Sequence, residues 1–157
     1  MGIEVLETSQ EEKTQVKIPQ KITFPPRDLG IADFEKIREY GLNVVYRKWL
    51  GGVLYRLDTT QDLGFFAVDV NERGFSYERK TVAKMGEIVD IERECDLMVL
   101  ALLMQGGLEP KCNLTNPIAI NKKTGEASQV IVRSSHLRNY SLWPVRKMRE
   151  ADASVFI

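Results

Sequence analysis

The stretch TVAKMGEIVDIERECDLMVLALLM, residues 81–104, decides the fold class that the sequence predicts. Its apolar residues recur every three or four positions, a spacing typical of the buried face of a helix. Carboxylates group on another face, as they do where a helix meets solvent. We therefore expect one long central helix, which Gly106–Gly107 would end. The apolar stripe consists of Val82, Met85, Ile88, Ile91, Cys95, Val99 and Leu102, and the acidic group of Glu87, Asp90 and Glu94.

Strands are predicted on both sides of this helix. Phe65 to Val70 and Phe75 to Arg79 are aromatic or branched runs separated by an Asn-Glu-Arg-Gly turn, which predicts a β-meander. Ile118 to Ile120 and Val130 to Val132 flank a polar turn and predict a second hairpin. The expected fold class is therefore α+β, with an antiparallel β-meander and hairpins packed on a central helix.

Three other segments carry weaker patterns. Leu42 to Leu57 fits either a helical stripe or a hairpin that turns at Gly51–Gly52, and we favour the hairpin. A short helix is predicted from Asp28 to Gly41, because Asp is a good N-cap and Gly a natural C-terminal stop. Ser141 is predicted to cap a last helix that contains Trp143, Val145 and Met148.

The predicted domain organisation is simple. With 157 residues, 43% of them hydrophobic and 28% charged, the chain fits one folded domain. Polar residues and the pair Pro25–Pro26 predict an extended N-terminal arm over residues 1–27. The single α+β domain is expected over residues 28–153, followed by an apolar C-terminal tail over residues 154–157.

The sequence also bears on compartment. No signal peptide is recognisable at the N-terminus, and the longest apolar run, Leu97 to Met104, is too short to span a bilayer. Two cysteines do not indicate a disulfide framework and favour a reducing compartment. We expect a protein of the cytoplasm or of a virion, with no membrane partner.

Catalytic and cofactor motifs are not recognisable. Cys95, Cys112 and His136 lack the spacing of a zinc site, and Cys95 is expected to be a buried thiol of the central helix. Ser134 and Ser135 lie beside the only histidine but lack a nucleophile motif. We therefore predict no enzyme, no cofactor and no metal. An active site assembled from distant segments is the remaining alternative.

The balance of charge hides a segregation along the chain. The 22 basic residues equal the 22 acidic ones, yet residues 111–149 carry eight basic residues against one acidic residue, a net charge of +7. The first 110 residues have a net charge of −5. Such a basic segment can meet nucleic acid, or the acidic surface of another protein.

The leading functional hypothesis is a non-enzymatic structural or assembly subunit of a multi-chain complex, for example a virus particle. Extended arms can add a strand to the sheet edge of a neighbour. The expected partners are other protein subunits, in a homo- or hetero-oligomer. The residues predicted to dock on them are Ile18, Ile22 and Phe24 in the arm and Val155, Phe156 and Ile157 in the tail.

The alternative hypothesis is a nucleic-acid-binding accessory protein. Basic side chains would hold phosphates and an aromatic ring would stack on a base. No motif in the chain is specific enough to name a family. The residues predicted for this alternative are Lys122, Lys123, Arg133, Arg138, Trp143, Arg146 and Lys147.

Overall fold

The computed structural model describes residues 18–24, 38–59, 64–104, 109–132 and 142–150, and in it residues 81–104 do not form one helix. An α-helix, α1, runs from Arg79 to Ile88 and ends there. Leu97–Met104 is a strand, β5, which follows a 3₁₀ turn at Glu94–Asp96. The prediction of a single central helix is therefore wrong.

Antiparallel sheet dominates the described part of the chain. α1 is the one α-helix in it, and the bounds of the strands follow from the backbone hydrogen bonds. The strands are β1 Lys21–Thr23, β2 Glu39–Trp49, β3 Gly52–Asp58, β4 Gly64–Asp69, β5 Leu97–Met104, β6 Lys111–Asn113, β7 Ile118–Asn121, β8 Ala127–Gln129 and β9 Leu142–Pro144.

The sheet curls into a nearly closed barrel. Strands β1 to β5 pair in order, and β5 pairs with β6 and β7 as well as with β4. β7 pairs with β8, and an isolated bridge between Thr23 and Glu126 brings β1 beside the start of β8. The Thr23 N–H donates to Gly125 O across this seam at 2.9 Å. β1 therefore closes the ring, while β6 and β9 form a branch beside it.

β5 is buried on both of its faces. Leu97, Val99 and Ala101 belong to one apolar cluster. Met98, Leu100 and Leu102 belong to a second cluster. Because successive side chains of a strand point to opposite faces, the alternation assigns one cluster to each side of the sheet. The continuous apolar run is thus a strand that supplies two cores at once.

The cluster inside the barrel contains side chains from every strand of the ring. Tyr40 and Phe24 meet edge to face there, with ring centroids 5.7 Å apart. Arg56 and Asp58 form an ion pair at the end of β3. The buried members of this cluster are Ile22, Phe24, Tyr40, Leu42, Tyr55, Leu57, Ala67, Met98, Leu100, Leu102, Ile118, Ile120 and Ala127.

The second cluster packs α1 and the β6–β9 branch against the other face of the sheet. Met85 and Val89 bring the helix into this cluster. The Asn121 side chain donates to Val89 O at 3.0 Å and to Asp90 O at 3.2 Å, so it binds carbonyls just after the helix ends. Asp90 has a positive φ of 55°, which an α-helix does not allow. The helix therefore stops well before the apolar run begins.

The α+β class with a helix-centred core is wrong, because the core is organised by the sheet. The expected meander loses its second strand, since residues 75–78 are irregular and lead into α1. The hairpin favoured over Leu42 to Leu57 is confirmed as β2 and β3, but it turns at Leu50–Gly51 rather than at Gly51–Gly52. The predicted hairpin after Pro117 is present as β7 and β8, but its second strand is at Ala127–Gln129 rather than at Val130–Val132.

Two predicted helices are also corrected where the structure describes them. Glu39–Gly41, predicted to end a helix, lies in β2, and the rest of that helix up to residue 37 is outside the described residues. The last helix is replaced by β9 and a 3₁₀ helix, Val145–Glu150. No helix among the described residues is long and apolar enough to cross a membrane. The domain boundaries stay predictions.

Gly125 offers a test of barrel closure. Its φ is +84°, and an added Cβ would lie 2.7 Å from Lys21 O of β1. We expect Gly125→Ala to lower the free energy of unfolding by about 2–3 kcal/mol, from a strained φ plus a backbone clash. Urea denaturation measures it.

Gly51→Ala is the matched control, since Gly51 has a φ of +91° but nothing within 4 Å of an added Cβ. It should cost only about 1 kcal/mol, for φ strain alone. Equal losses for the two variants would contradict closure through a tight β1 contact.

Candidate protein interface

The β2–β3 hairpin ends in a two-residue turn. Trp49 pairs with Gly52, so Leu50 and Gly51 form the turn, with φ angles of 47° and 91°. Positive φ at both turn residues matches the twist of antiparallel strands, which explains a tight hairpin at this point. The pairing of β2 with β3 shifts register twice, between Val44 and Tyr46 and between Tyr46 and Trp49.

The outer half of β2 stands clear of both cores. Every side chain from Asn43 to Lys48 is exposed, although alternate residues of a strand point to opposite faces. Val44, Val45 and Tyr46 are 39%, 38% and 59% exposed. Three adjacent, exposed, large apolar side chains on one strand are the kind of surface that proteins use to bind one another.

The main chain of this segment has, among the described residues, no strand partner on its outer side. β1 pairs with β2 only at Glu39, Tyr40 and Gly41, and the last main-chain bond joins Leu42 N–H to Gln20 O at 2.8 Å. Beyond Leu42, none of the described residues pairs with the outer edge of β2. The segment Asn43–Trp49 is hereafter the β2 edge.

A buried arginine fixes the tip of the hairpin. The Arg73 guanidinium donates to Leu50 O at 2.7 Å, to Trp49 O at 2.8 Å and to Val53 O at 3.1 Å. It is 3% exposed, and its carbon Cζ lies 5.6 Å from the centre of the Trp49 ring. Burial lowers the pKa of Arg73, but the guanidinium stays protonated at neutral pH. The tip is therefore held in one position.

The three hydrogen bonds from Arg73 to the hairpin tip are hereafter called the clamp. Two carboxylates beside it accept hydrogen bonds from backbone amides. Glu72 Oε1 accepts from Val53 N–H at 2.6 Å. Asp69 Oδ1 accepts from the N–H groups of Asn71 and Glu72, at 3.0 and 3.3 Å, and burial raises the Asp69 pKa. Neither carboxylate forms an ion pair with Arg47 or Lys48, the two exposed cations of the β2 edge.

Replacing Arg73 tests the clamp. In Arg73→Lys, one ammonium group cannot reach three carbonyls in fork geometry, so buried acceptors lose their donors. We expect the free energy of unfolding to fall by about 2–4 kcal/mol, and amide exchange at residues 49–53 to accelerate. Urea denaturation and hydrogen exchange measure the two effects.

Arg79→Lys, at an exposed position on α1, controls for the substitution itself and should change stability by less than about 0.5 kcal/mol. Unchanged exchange at the hairpin tip in Arg73→Lys would contradict the clamp.

Comparison with known proteins identifies the family of the chain. The model of the FliW protein family matches residues 5–142. This chain belongs to the FliW family. A solved structure described as "Crystal structure of the flagellar assembly factor FliW" resembles it with a TM-score of 0.54 and 19% identity, covering 85% of this chain and 86% of that chain. At this identity the likeness bears on the fold. No curated protein matches the sequence.

Membership in the FliW family overturns both functional hypotheses drawn from the sequence. The chain is neither a virion subunit nor a nucleic-acid-binding accessory protein, because its family and the fold it shares are those of FliW proteins. The predicted location in a virion, which belonged to the first hypothesis, is therefore also wrong. Protein interaction and assembly, the general part of that hypothesis, fit the family.

The predicted docking residues of the arm lie inside this FliW barrel. Ile22 and Phe24 are 0% and 1% exposed and belong to the interior cluster. Ile18 is partly buried against the same cluster. Side chains in these positions have little surface to offer a partner. Val155, Phe156 and Ile157 lie outside the described residues, and docking through them stays a prediction.

The predicted basic residues are not brought together where the structure describes them. Lys122 N–H donates to Asp96 O, just before β5 begins. Trp143 pairs with Cys112, and β6 pairs with the far end of β5 at Leu103. About 20 Å of strand separates these ends. Lys123 lies in the β7–β8 turn, Arg146 and Lys147 on the last 3₁₀ helix, and Arg133 and Arg138 outside the described residues.

The acidic residues near α1 line an open groove of about 400 Å³. Arg79 and Arg93 share the groove with them, and Lys123 Nζ lies 3.5 Å from Glu92 Oε2. Such mixing is typical of a solvated surface. No group of three or more metal-ligating side chains occurs among the described residues. The acidic residues of the groove are Glu87, Asp90, Glu92 and Glu94.

The two thiols differ sharply. Cys95 is exposed in the turn before β5, so the prediction of a buried thiol there is wrong. Cys112 is buried, and burial raises its pKa to about 12. A buried, protonated thiol is a poor nucleophile, which leaves Cys112 a packing role.

We expect a thiol reagent at pH 8 to label one cysteine of the folded chain and two after denaturation. Cys95→Ser should abolish labelling of the folded chain, because Cys112 is shielded and protonated. Absorbance of the released reagent group counts the reactive thiols. Two rapidly reacting thiols in the native chain would contradict the burial of Cys112.

The sequence pattern missed the β2 edge. Asn-Val-Val-Tyr-Arg-Lys, residues 43–48, lacks the alternation of a half-buried strand, and that lack was the available signal. The segment fits both a helical stripe and a strand, and neither pattern indicates that its side chains are exposed.

Proposed function

We propose that this chain is a flagellar assembly factor that works in the cytoplasm by binding a flagellar protein. The match of the FliW family model over residues 5–142 carries the proposal. The likeness of fold to a solved flagellar assembly factor supports it. The role is one of binding rather than catalysis, which keeps the prediction that the chain is not an enzyme.

The β2 edge supports a binding role. It offers Val44, Val45 and Tyr46 to solvent on a hairpin whose tip is fixed by Arg73. A fixed surface loses less conformational entropy when a partner binds than a mobile one does. The β2 edge is therefore our candidate for the surface that meets the flagellar protein.

The proposal is tested with purified proteins. The full chain is mixed with purified filament, hook and rod subunits of the bacterium that encodes it, one at a time, and titrated by calorimetry. We expect saturable binding to at least one of them. An unrelated protein of similar size and charge is the control, and failure to bind any flagellar subunit would contradict the proposal.

A cellular measurement complements the titration. Deletion of the gene should reduce the number or length of flagellar filaments counted by electron microscopy, and the wild-type gene should restore them. A copy with an early stop codon is the control. Normal filaments in the deletion strain would contradict a role in flagellar assembly.

A further inference from the structure

We propose that the β2 edge binds an extended, acidic segment of the flagellar protein as an additional strand of the sheet. This inference rests on the proposed function and adds the mode of recognition and the chemistry of the partner. Main-chain hydrogen bonds would supply the affinity, and side chains of the edge the selectivity.

The backbone offers the hydrogen bonds. Leu42 N–H points away from β3, to the carbonyl of Gln20, which immediately precedes β1. In an antiparallel pair the groups of alternate residues point to the same side, so the N–H and C=O of Val44 continue this row. None of the described residues accepts or donates there. A strand laid beside Val44 would extend the ladder that β1 begins.

The charges select an acidic occupant. Arg47 and Lys48 are exposed, and neither forms an ion pair with a described residue. The nearby carboxylates of Asp69 and Glu72 already accept from backbone amides. Opposite charges on neighbouring strands stabilise a ladder, and like charges destabilise it. A segment with apolar residues opposite Val44 and Tyr46, and with carboxylates opposite both Arg47 and Lys48, covers the apolar side chains and satisfies the cations.

A second copy of the chain fits the β2 edge poorly. Two copies paired here would place four cations, Arg47 and Lys48 twice, on one short ladder with no carboxylate. The register shifts between Val44 and Tyr46 and between Tyr46 and Trp49 also interrupt the edge. Bulges and cations of this kind are common protections against pairing of identical edges. They leave room for a short strand of complementary charge.

The clamp keeps the edge ready for a partner. Arg73 holds the carbonyls of Trp49, Leu50 and Val53, and Glu72 holds the Val53 amide. The tip of the hairpin therefore cannot swing away from β4 without breaking these four hydrogen bonds. Arg73 acts as a positioning residue for the edge, without itself facing the added strand.

The main-chain test uses proline. Val44→Pro removes the outward N–H, and proline is tolerated on edge strands at such positions. Val44→Ala is the matched control, since it removes the same side chain but keeps the N–H. Binding of the filament, hook and rod subunits is measured by calorimetry. We expect at least tenfold weaker binding for Val44→Pro than for Val44→Ala, and equal affinities would overturn the inference.

The charge test does not depend on how Val44→Pro folds. Arg47→Glu with Lys48→Glu should weaken binding at least tenfold at low salt and flatten its salt dependence. Lys84→Glu, at an exposed position on α1, is the control and should leave binding unchanged. An equal loss of affinity in Lys84→Glu would show that any surface charge attracts the partner, and it would overturn recognition at the β2 edge.

Hydrogen exchange of the wild-type complex gives an independent result. Protection of the Val44 amide on binding supports an added strand, and unchanged exchange there overturns it. Binding that survives every edge variant refutes this inference and leaves the proposed function standing. A wild-type chain that binds no flagellar subunit refutes both. A dimer of the free chain, detected by light scattering and dissociated by Val44→Pro, would make a second copy the occupant and overturn the acidic partner.

Discussion

Burial of β5 on both faces is the constraint on which the rest of the structure depends. Each of its fully buried Leu, Met and Val side chains contributes about 1.5–3 kcal/mol relative to an exposed one. That gain requires cover on both sides of the strand. The barrel interior covers one side, and α1 with the β6–β9 branch covers the other. Three strands pair with β5 and supply partners for its backbone groups along its length.

The same burial explains why the sequence pattern was misleading. A strand covered on one face alternates apolar and polar residues, but Leu97 to Met104 is apolar throughout, as in strands covered on both faces. A continuous apolar run fits a helical stripe equally well. The helix-stopping contacts, from Asn121 to the carbonyls of Val89 and Asp90, join residues about thirty positions apart. No local pattern could have supplied them.

Turns were the predictable part of the fold. Gly51–Gly52 and the polar turn after Asn121 both indicated hairpins, and hairpins are found at both places. Local backbone preferences decide such turns, so they can be inferred from a few residues. Topology was not predictable, because the closure by β1 depends on a long-range approach of Lys21 and Gly125. The candidate interface was missed because the exposure of Val44, Val45 and Tyr46 depends on tertiary packing, which no local pattern indicates.

The N-terminal segment and the β2 edge are two parts of one arrangement. Residues 21–23 add a strand to β2 and close the barrel, and the remainder of β2 has no described strand beyond Leu42. The strand addition expected of the arm toward a neighbour thus occurs within its own chain. The part of β2 that stays open to a partner is its continuation beyond Leu42, the β2 edge.

The edge is coupled to the core through a short path of contacts. Val70 N–H donates to Val99 O in β5, and Val70 O accepts from the N–H groups of Arg73 and Phe75. Arg73 in turn holds the hairpin tip at Trp49 and Leu50. A partner strand on the β2 edge would therefore bind a surface positioned by the buried strand itself. Since such a partner binds only the folded chain, it would also stabilise the barrel by mass action.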